Sequence, residues 1–371
     1  MIRRLIPLLL ILAVAPACRS DEGLLEIPPP RGPEGPQNII LLIGDGMGMT
    51  HFTVLDQIRG EESSLPRFTS AAIVTTHSAD SLVADSGASA TAMATGIKTI
   101  NGALSMTPSG EPVETVLELA EEKGMATGLV TTSRFWDATP AAFAAHTMDR
   151  NGPGVLEQVL ASGADLVISN DVQSLGADDR PSVPELARTY GYTPVGTASE
   201  LVPIEGKILA LFPGNENDLD FPDAPLPTLA RFAIETLSAD PDGFFLMIES
   251  EGTDTASHNN ETELVLDSLR SLDGAVSAAL EFAAANGDTL VLFTGDHETG
   301  GFQIASPTRG DDPRELHLEW FSGRHTGQAI PIFAYGPGAN RFEGWIDNTD
   351  IGKTLKEMVQ EKPAPVSSRS E

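Results

Sequence analysis

Apolar residues along this chain fall into two alternating rhythms. Short continuous runs rich in aliphatic and β-branched side chains cover Asn38 to Ile43, Ala126 to Thr131, Asp165 to Ser169, Lys207 to Phe212, Phe244 to Ile248, Thr289 to Thr294 and Ile330 to Tyr335. Such runs read as strands buried on both faces. Helical spacing occupies Val113 to Glu122, Val155 to Leu160 and a long stretch between Glu261 and Ala285, with apolar positions recurring along one side. The alternation predicts an α/β fold whose sheet is largely parallel and covered on both faces.

The two ends follow other patterns. Met1, Ile2, Arg3 and Arg4 precede an apolar run from Leu5 to Ala15 and then Ala15-Pro16-Ala17-Cys18, the layout of an export signal over residues 1–17. That run is too short to span a bilayer, and no later stretch reaches the length a span requires, so a mature chain without a transmembrane helix is expected. Cys18 is the only cysteine of the 371 residues, which rules out disulfides within the chain although the implied compartment is oxidising. Its place after Ala17 matches a bacterial lipoprotein cleavage site, with Ala15 and Pro16 an imperfect fit; ordinary signal cleavage is the other reading. Residues 18–36 are rich in proline and read as an extended linker, 37–362 as one catalytic domain, and 363–371 as a disordered tail. Within the domain, Asp171 to Asp223, dense in Pro, Asp and Gly, reads as an excursion from the core.

The charge is strongly acidic: a formal −30, or −32 once the two positive charges of Arg3 and Arg4 leave with the signal. Such a field repels nucleic acid and anionic lipid and favours cations, so no nucleic-acid partner is expected. Most of these carboxylates form a solvated surface, and charge alone identifies no site.

Candidate chemistry lies just after the strand-like runs, where α/β sheets place their ligands. Ile39 to Ile43 leads into Gly44-Asp45-Gly46, Phe244 to Ile248 into Glu249, and Val291 to Thr294 into Gly295-Asp296-His297. Singly these are turn or cap residues. Together, three carboxylates at one sheet edge repel one another unless cations sit among them. Asp254 and His258, four apart, share a face if helical and could grip one zinc ion; a capping aspartate and a surface histidine are the alternative. The small-residue segment from Asp85 to Gly96 reads as a helix beginning at Asp85 or Ser86. A serine there sits among free amides at a positive dipole end, where an alkoxide or a phosphate is stabilised; close helix packing with Ser86 as a cap is the plainer reading.

Five segments in order and spacing resemble the alkaline phosphatases: Ile43-Gly44-Asp45-Gly46-Met47-Gly48, Asp85 to Ala92, Asp137 to His146, Asp296 to Gly301, and His325-Thr326-Gly327-Gln328. The resemblance runs from about residue 38 to 338. It implies a three-layer α/β/α sandwich and hydrolysis of phosphate monoesters through a phosphoserine on Ser86, at a centre of two zinc ions and one magnesium ion. Asp254, His258 and His325 are the implied ligands of the first zinc, and Asp45, Asp296 and His297, with Ser86, those of the second. Asp45, Thr139 and Glu249 are implied for magnesium, with Asp137 reaching it through water, and Arg150 as the clamp on the phosphoryl oxygens. Thr255 departs from the pattern, standing where relatives commonly carry Lys, His or Trp. His51, His77, His146 and His317 match no ligand position and read as structural.

The expected partner is therefore a small phosphate monoester, and the expected location is the periplasm or a membrane surface held through a lipid on Cys18; homodimer formation is left open. Two other readings compete. A phosphodiesterase or nucleotide pyrophosphatase of the same superfamily would share both zinc sites, but Arg150 and Glu249 argue against it. A non-catalytic metal- or phosphate-binding lipoprotein would need no ionisable hydroxyl at Ser86.

Overall fold

The computed structural model describes residues 35–170, 182–202, 205–213, 221, 224–305 and 316–362. The expected signal, most of the linker and the expected tail lie outside the described residues.

Fourteen strands follow one another along the described chain: β1 (Asn38–Gly44), β2 (Ser70–Thr75), β3 (Ala126–Thr131), β4 (Leu166–Asn170), β5 (Tyr192–Val195), β6 (Lys207–Phe212), β7 (Phe244–Ser250), β8 (Thr289–Gly295), β9 (Glu298–Thr299), β10 (Gln303–Ile304), β11 (Leu318–Glu319), β12 (His325–Thr326), β13 (Ile330–Tyr335) and β14 (Gly344–Asp347). Ten of them form one sheet in the order β14-β2-β13-β8-β1-β7-β3-β4-β6-β5. Only β13 runs antiparallel to its neighbours β2 and β8.

The helices are α1 (Met49–Arg59), α2 (Ser86–Thr95), α3 (Val116–Glu122), α4 (Ala138–Ala141), α5 (Val155–Ala161), α6 (Val183–Thr189), α7 (Leu226–Leu237), α8 (Gly252–His258), α9 (Thr262–Asn286) and α10 (Asn348–Gln360). Alternation along β1 divides the core in two, as the period of a strand demands. Ile39, Leu41 and Ile43 pack with residues of α2, α3, α5 and α10. Ile40 and Leu42 pack with residues of α1, α7 and α9 on the opposite face. The result is the three-layer α/β/α sandwich, and β1, β7 and β8 are buried at every residue.

Three details depart from the pattern-based reading. The helix expected from Val113, α3, begins at Val116 because Thr115 caps it: its hydroxyl accepts from Glu118 N at 3.1 Å while Glu118 Oε2 accepts from Thr115 N at 2.8 Å. Three sheet strands, β2, β5 and β14, have no counterpart among the predicted runs; β2 alternates buried and exposed residues, and β5 and β14 are four residues long each, β14 with no fully buried one. The stretch 171–223 is no excursion where it is described, since β5 and β6 extend the sheet and Val183 and Ala187 of α6 enter the core. Pro194 is admitted because β5 is the edge strand.

Candidate active site and metal centre

Register brings the carboxylates together. Gly44 at the end of β1 lies opposite Ser250 of β7 and Gly295 of β8, and Ile43 lies opposite Glu249. Asp45, Glu249 and Asp296 therefore leave the sheet at one level, on three adjacent strands. All are buried. Gly46 turns the chain with φ +72° and donates its N–H to Asp296 Oδ1 at 3.0 Å.

One group forms around His297. Its Nε2 lies 3.2 Å from Asp296 Oδ2, 3.4 Å from Asp45 Oδ1 and 3.2 Å from Ser86 Oγ. Ser86 is the first residue of α2, whose N-cap Asp85 accepts from Ala88 N at 2.9 Å. Burial, then the neighbouring His325, holds the His297 imidazole well below its usual range, so it is neutral and has a lone pair to give.

A second group adjoins it. Asp254 and His258 share a face of α8, with His258 Nε2 3.2 Å from Asp254 Oδ2. His325 arrives by a different device: β12 pairs with β9, setting His325 opposite Thr299 and stacking its ring on His297 at 3.7 Å between centroids. The Nδ1 atoms of His258 and His325 lie 2.9 and 3.0 Å from the carbonyls of Gly323 and Ala84. Donation there leaves each Nε2 with a lone pair, and those two nitrogens face each other at 3.1 Å. Two lone pairs in that position call for a cation between them. A proton does part of this in its absence: the bond to Asp254 pushes His258 up to about 9. Burial works against ionisation of Asp254, but His258, His297 and His325 outweigh it and hold its carboxyl well below the usual range.

The third group is all oxygen: Asp45, Glu249 and Glu251. Thr139 Oγ1 lies 3.3 Å from Asp45 Oδ2, and Thr131 Oγ1 donates to Glu249 Oε2 at 2.5 Å. Burial is the first cause, and the charge of Asp45 the second, of a Glu251 carboxyl raised well above its usual range; the same order holds for Asp296. Asp45 Oδ1, Asp296 Oδ2 and Glu249 Oε1 are buried and accept no hydrogen bond. Buried carboxylates left in this way are expected to bind cations, so the residues fit a metal centre.

Arg150 closes the arrangement. Its two terminal nitrogens reach Asp85 Oδ2 at 3.2 Å and Asp137 Oδ1 at 3.3 Å. Asp137 is held in turn by Ser133 Oγ at 3.1 Å and by Arg134 at 2.9 Å. Asp137 thus turns to the two arginines, although its charge is felt by Glu249 and Glu251. Asp85 caps the helix that starts with Ser86 and also orients the guanidinium.

Sequence reasoning passed over Glu251, Arg134, Asp85 as an arginine partner, and Thr299, whose hydroxyl bonds Asp254 and lies 3.3 Å from His297 Nδ1. The spacing Glu249-x-Glu251 was the available signal for the first of these. The four unassigned histidines keep apart from the three groups. His51 is fully buried, with burial holding it down to about 3; it accepts from Gly48 N at 3.2 Å and lies 3.1 Å from Ser257 Oγ. His146 pairs with Glu118 at 2.8 Å, His77 lies 3.6 Å from Asp347, and His317 is exposed.

A family model described as alkaline phosphatase matches residues 36–173, 185–313 and 313–361. Alkaline phosphatase 3 of Bacillus subtilis (strain 168) is 27% identical over 452 residues, covering 96% of this chain and 97% of its own length. Alkaline phosphatase of Escherichia coli (strain K12) is 31% identical over 402 residues, covering 86% and 85%. Among solved structures, alkaline phosphatase from the Antarctic bacterium TAB5 superposes with a TM-score of 0.80 at 28% identity, over 88% of this chain and 98% of its own. A mutant of that enzyme is described with Mg bound in its M3 site.

Proposed function

Because the chain belongs to the alkaline phosphatase family, and so is a metal-dependent hydrolase of phosphate monoesters, we propose that it works through a phosphoserine formed on Ser86. The observation that carries this reading is the position of Ser86 Oγ. It stands at the first turn of a buried helix, 3.2 Å from His297 Nε2, beside two carboxylates with unpartnered oxygens.

Donor chemistry supports two zinc ions and one magnesium ion. Asp254, His258 and His325 would hold one zinc, and Asp45, Asp296 and His297 the other, as mixed nitrogen and oxygen sets suit that ion. The oxygen set of Asp45, Glu249 and Glu251, with Thr139 beside it, suits magnesium; the TAB5 mutant with Mg bound is in keeping with this. When bound, such ions lower the pKa of a neighbouring hydroxyl and stabilise the oxygen that departs.

The chain's own residues supply the rest. Ser86 loses its proton to solvent and its oxygen attacks phosphorus, forming the serine P–O bond as the ester P–O bond breaks and the alcohol leaves with a proton. Arg150, oriented by Asp85 and Asp137, offers two parallel N–H donors to non-bridging phosphoryl oxygens. The amide end of α2 adds a positive potential at the same place. Water then cleaves the phosphoserine, restoring Ser86 and releasing inorganic phosphate.

An acid-quenched reaction with a labelled monoester tests the proposal: label on Ser86 is expected, and label on any other residue would overturn it. Ser86→Ala should slow turnover by roughly three orders of magnitude or more while metal content stays near wild type, with residual activity from oriented water. Export belongs to the same proposal, resting on the layout of residues 1–17 and on Cys18; among the described residues no helix is long and apolar enough to cross a membrane.

A further inference from the structure

Beyond the clamp the structure holds a cavity of about 570 Å³, a size that suits a whole small-molecule substituent. It lies where the loop after β3 meets the start of α5 and one side of α6. Arg150 and Asp137 line one part of it, so it adjoins the proposed phosphoryl clamp. Trp136, Val155, Leu156 and Leu186 supply apolar wall. Arg134 adds a guanidinium that is 44% exposed.

Two features select what could enter. Among the described residues that line the cavity the charges balance, with Arg134 and Arg150 against Asp137 and Glu157, and both arginines are tied to Asp137. Those described residues leave no surplus positive charge for a second anion, and the strongly negative chain repels one. The indole of Trp136 and the guanidinium of Arg134 are planar groups, and planar groups favour flat, weakly polar rings.

We propose that this cavity is the subsite for the alcohol portion of the monoester and that it selects uncharged, planar ring systems of aryl to nucleoside size. The inference rests on the phosphomonoesterase reading for its location but makes a claim of its own. Small alkyl phosphates would leave the cavity to water, whereas aryl esters would displace that water against apolar wall.

The test measures binding of two non-hydrolysable ligands to the metal-loaded protein by calorimetry: 1-naphthylmethylphosphonate and methylphosphonate. Burial of the ring should make the naphthyl compound bind about tenfold or more tightly. Trp136→Ala, which removes apolar wall, and Leu186→Trp, which fills the cavity, should each bring the ratio of the two dissociation constants towards one. A wild-type ratio already near one, or a ratio that both variants leave intact, would overturn the subsite. Turnover of 1-naphthyl phosphate, followed separately, bears on the activity itself: ring-selective binding without hydrolysis would sink the phosphatase reading and leave the subsite standing.

Discussion

A methyl group added at residue 46 would sit 2.7 Å from Asp254 Oδ1 and 3.0 Å from Thr299 Oγ1, and the backbone there is left-handed at φ +72°. Both facts hold Asp45 against Asp254 and Asp296, with no side chain between. Gly46→Ala should therefore strip metal from the protein, measured by elemental analysis, and lower kcat about tenfold or more, while destabilising the metal-free fold by only about 1–3 kcal/mol, the usual cost of such backbone strain. Full metal occupancy in that variant would show that the close approach is incidental. At this scale the sequence was readable wherever a carboxylate directly follows an apolar strand, as Asp45 and Asp296 do. It was silent on Arg134 and Thr299. A solitary polar residue in a loop or a two-residue strand declares a role only through partners that the fold brings to it, here Asp137 and Asp254.

The small residues of α2 pack closely, as the plainer reading expects, but the cap is Asp85 and not Ser86. All ten residues of the helix are buried, and Ser86 Oγ lies 3.2 Å from His297 Nε2. On the far side α10 packs so closely that a Cβ on Gly352 would lie 2.4 Å from Gly96 N and 2.5 Å from Ala92 O. Gly352→Val should push α10 away from α2, lowering stability by about 3 kcal/mol. Because Ser86 rides on α2, phosphoryl transfer should slow as well. Thermal denaturation and single-turnover kinetics would check the two effects; loss of stability with an unchanged rate would show that α2 is positioned from its amino end alone. Long elements were legible from periodicity, and α9 was placed within one residue at each end, Thr262 to Asn286 against Glu261 to Ala285. The short pieces were not. β9 and β12 have two residues each and no periodicity to read, yet they deliver His325.

For the molecule as a whole, four buried carboxylates, Asp45, Glu249, Asp254 and Asp296, with the half-buried Glu251 beside them, must be balanced by cations or protons. Burial and then Asp254 push Asp45 up to about 7, and burial and then Asp45 push Glu249 up to about 8. Each folded value lies above the ordinary carboxylate value. In the metal-free protein these groups therefore favour the fold at low pH, and that contribution is lost as pH rises from about 4 through 7 to 8. Chelation should lower Tm at every pH, and by more at pH 9 than at pH 6, as calorimetry with and without chelator would measure. An equal drop at both values would mean that the carboxylates are compensated by something other than metal or proton. The layered architecture was legible because β1, β7 and β8 are apolar along nearly their whole length; the site's electrostatic debt was visible only as three acids after three strands, until register set them side by side.

The pairing of β12 with β9 also sets a clock. Asp45 and His325 are 280 residues apart (325 − 45), and a ribosome adding about 5–20 residues per second separates their appearance by roughly 15 to 60 s. Just before His325 is added, the nascent chain already owns every strand from β1 to β11 and still lacks the histidine that faces His258. A product that terminates before His325 should therefore hold metal poorly and lack activity, which elemental analysis and a monoester assay on such a truncated chain would check.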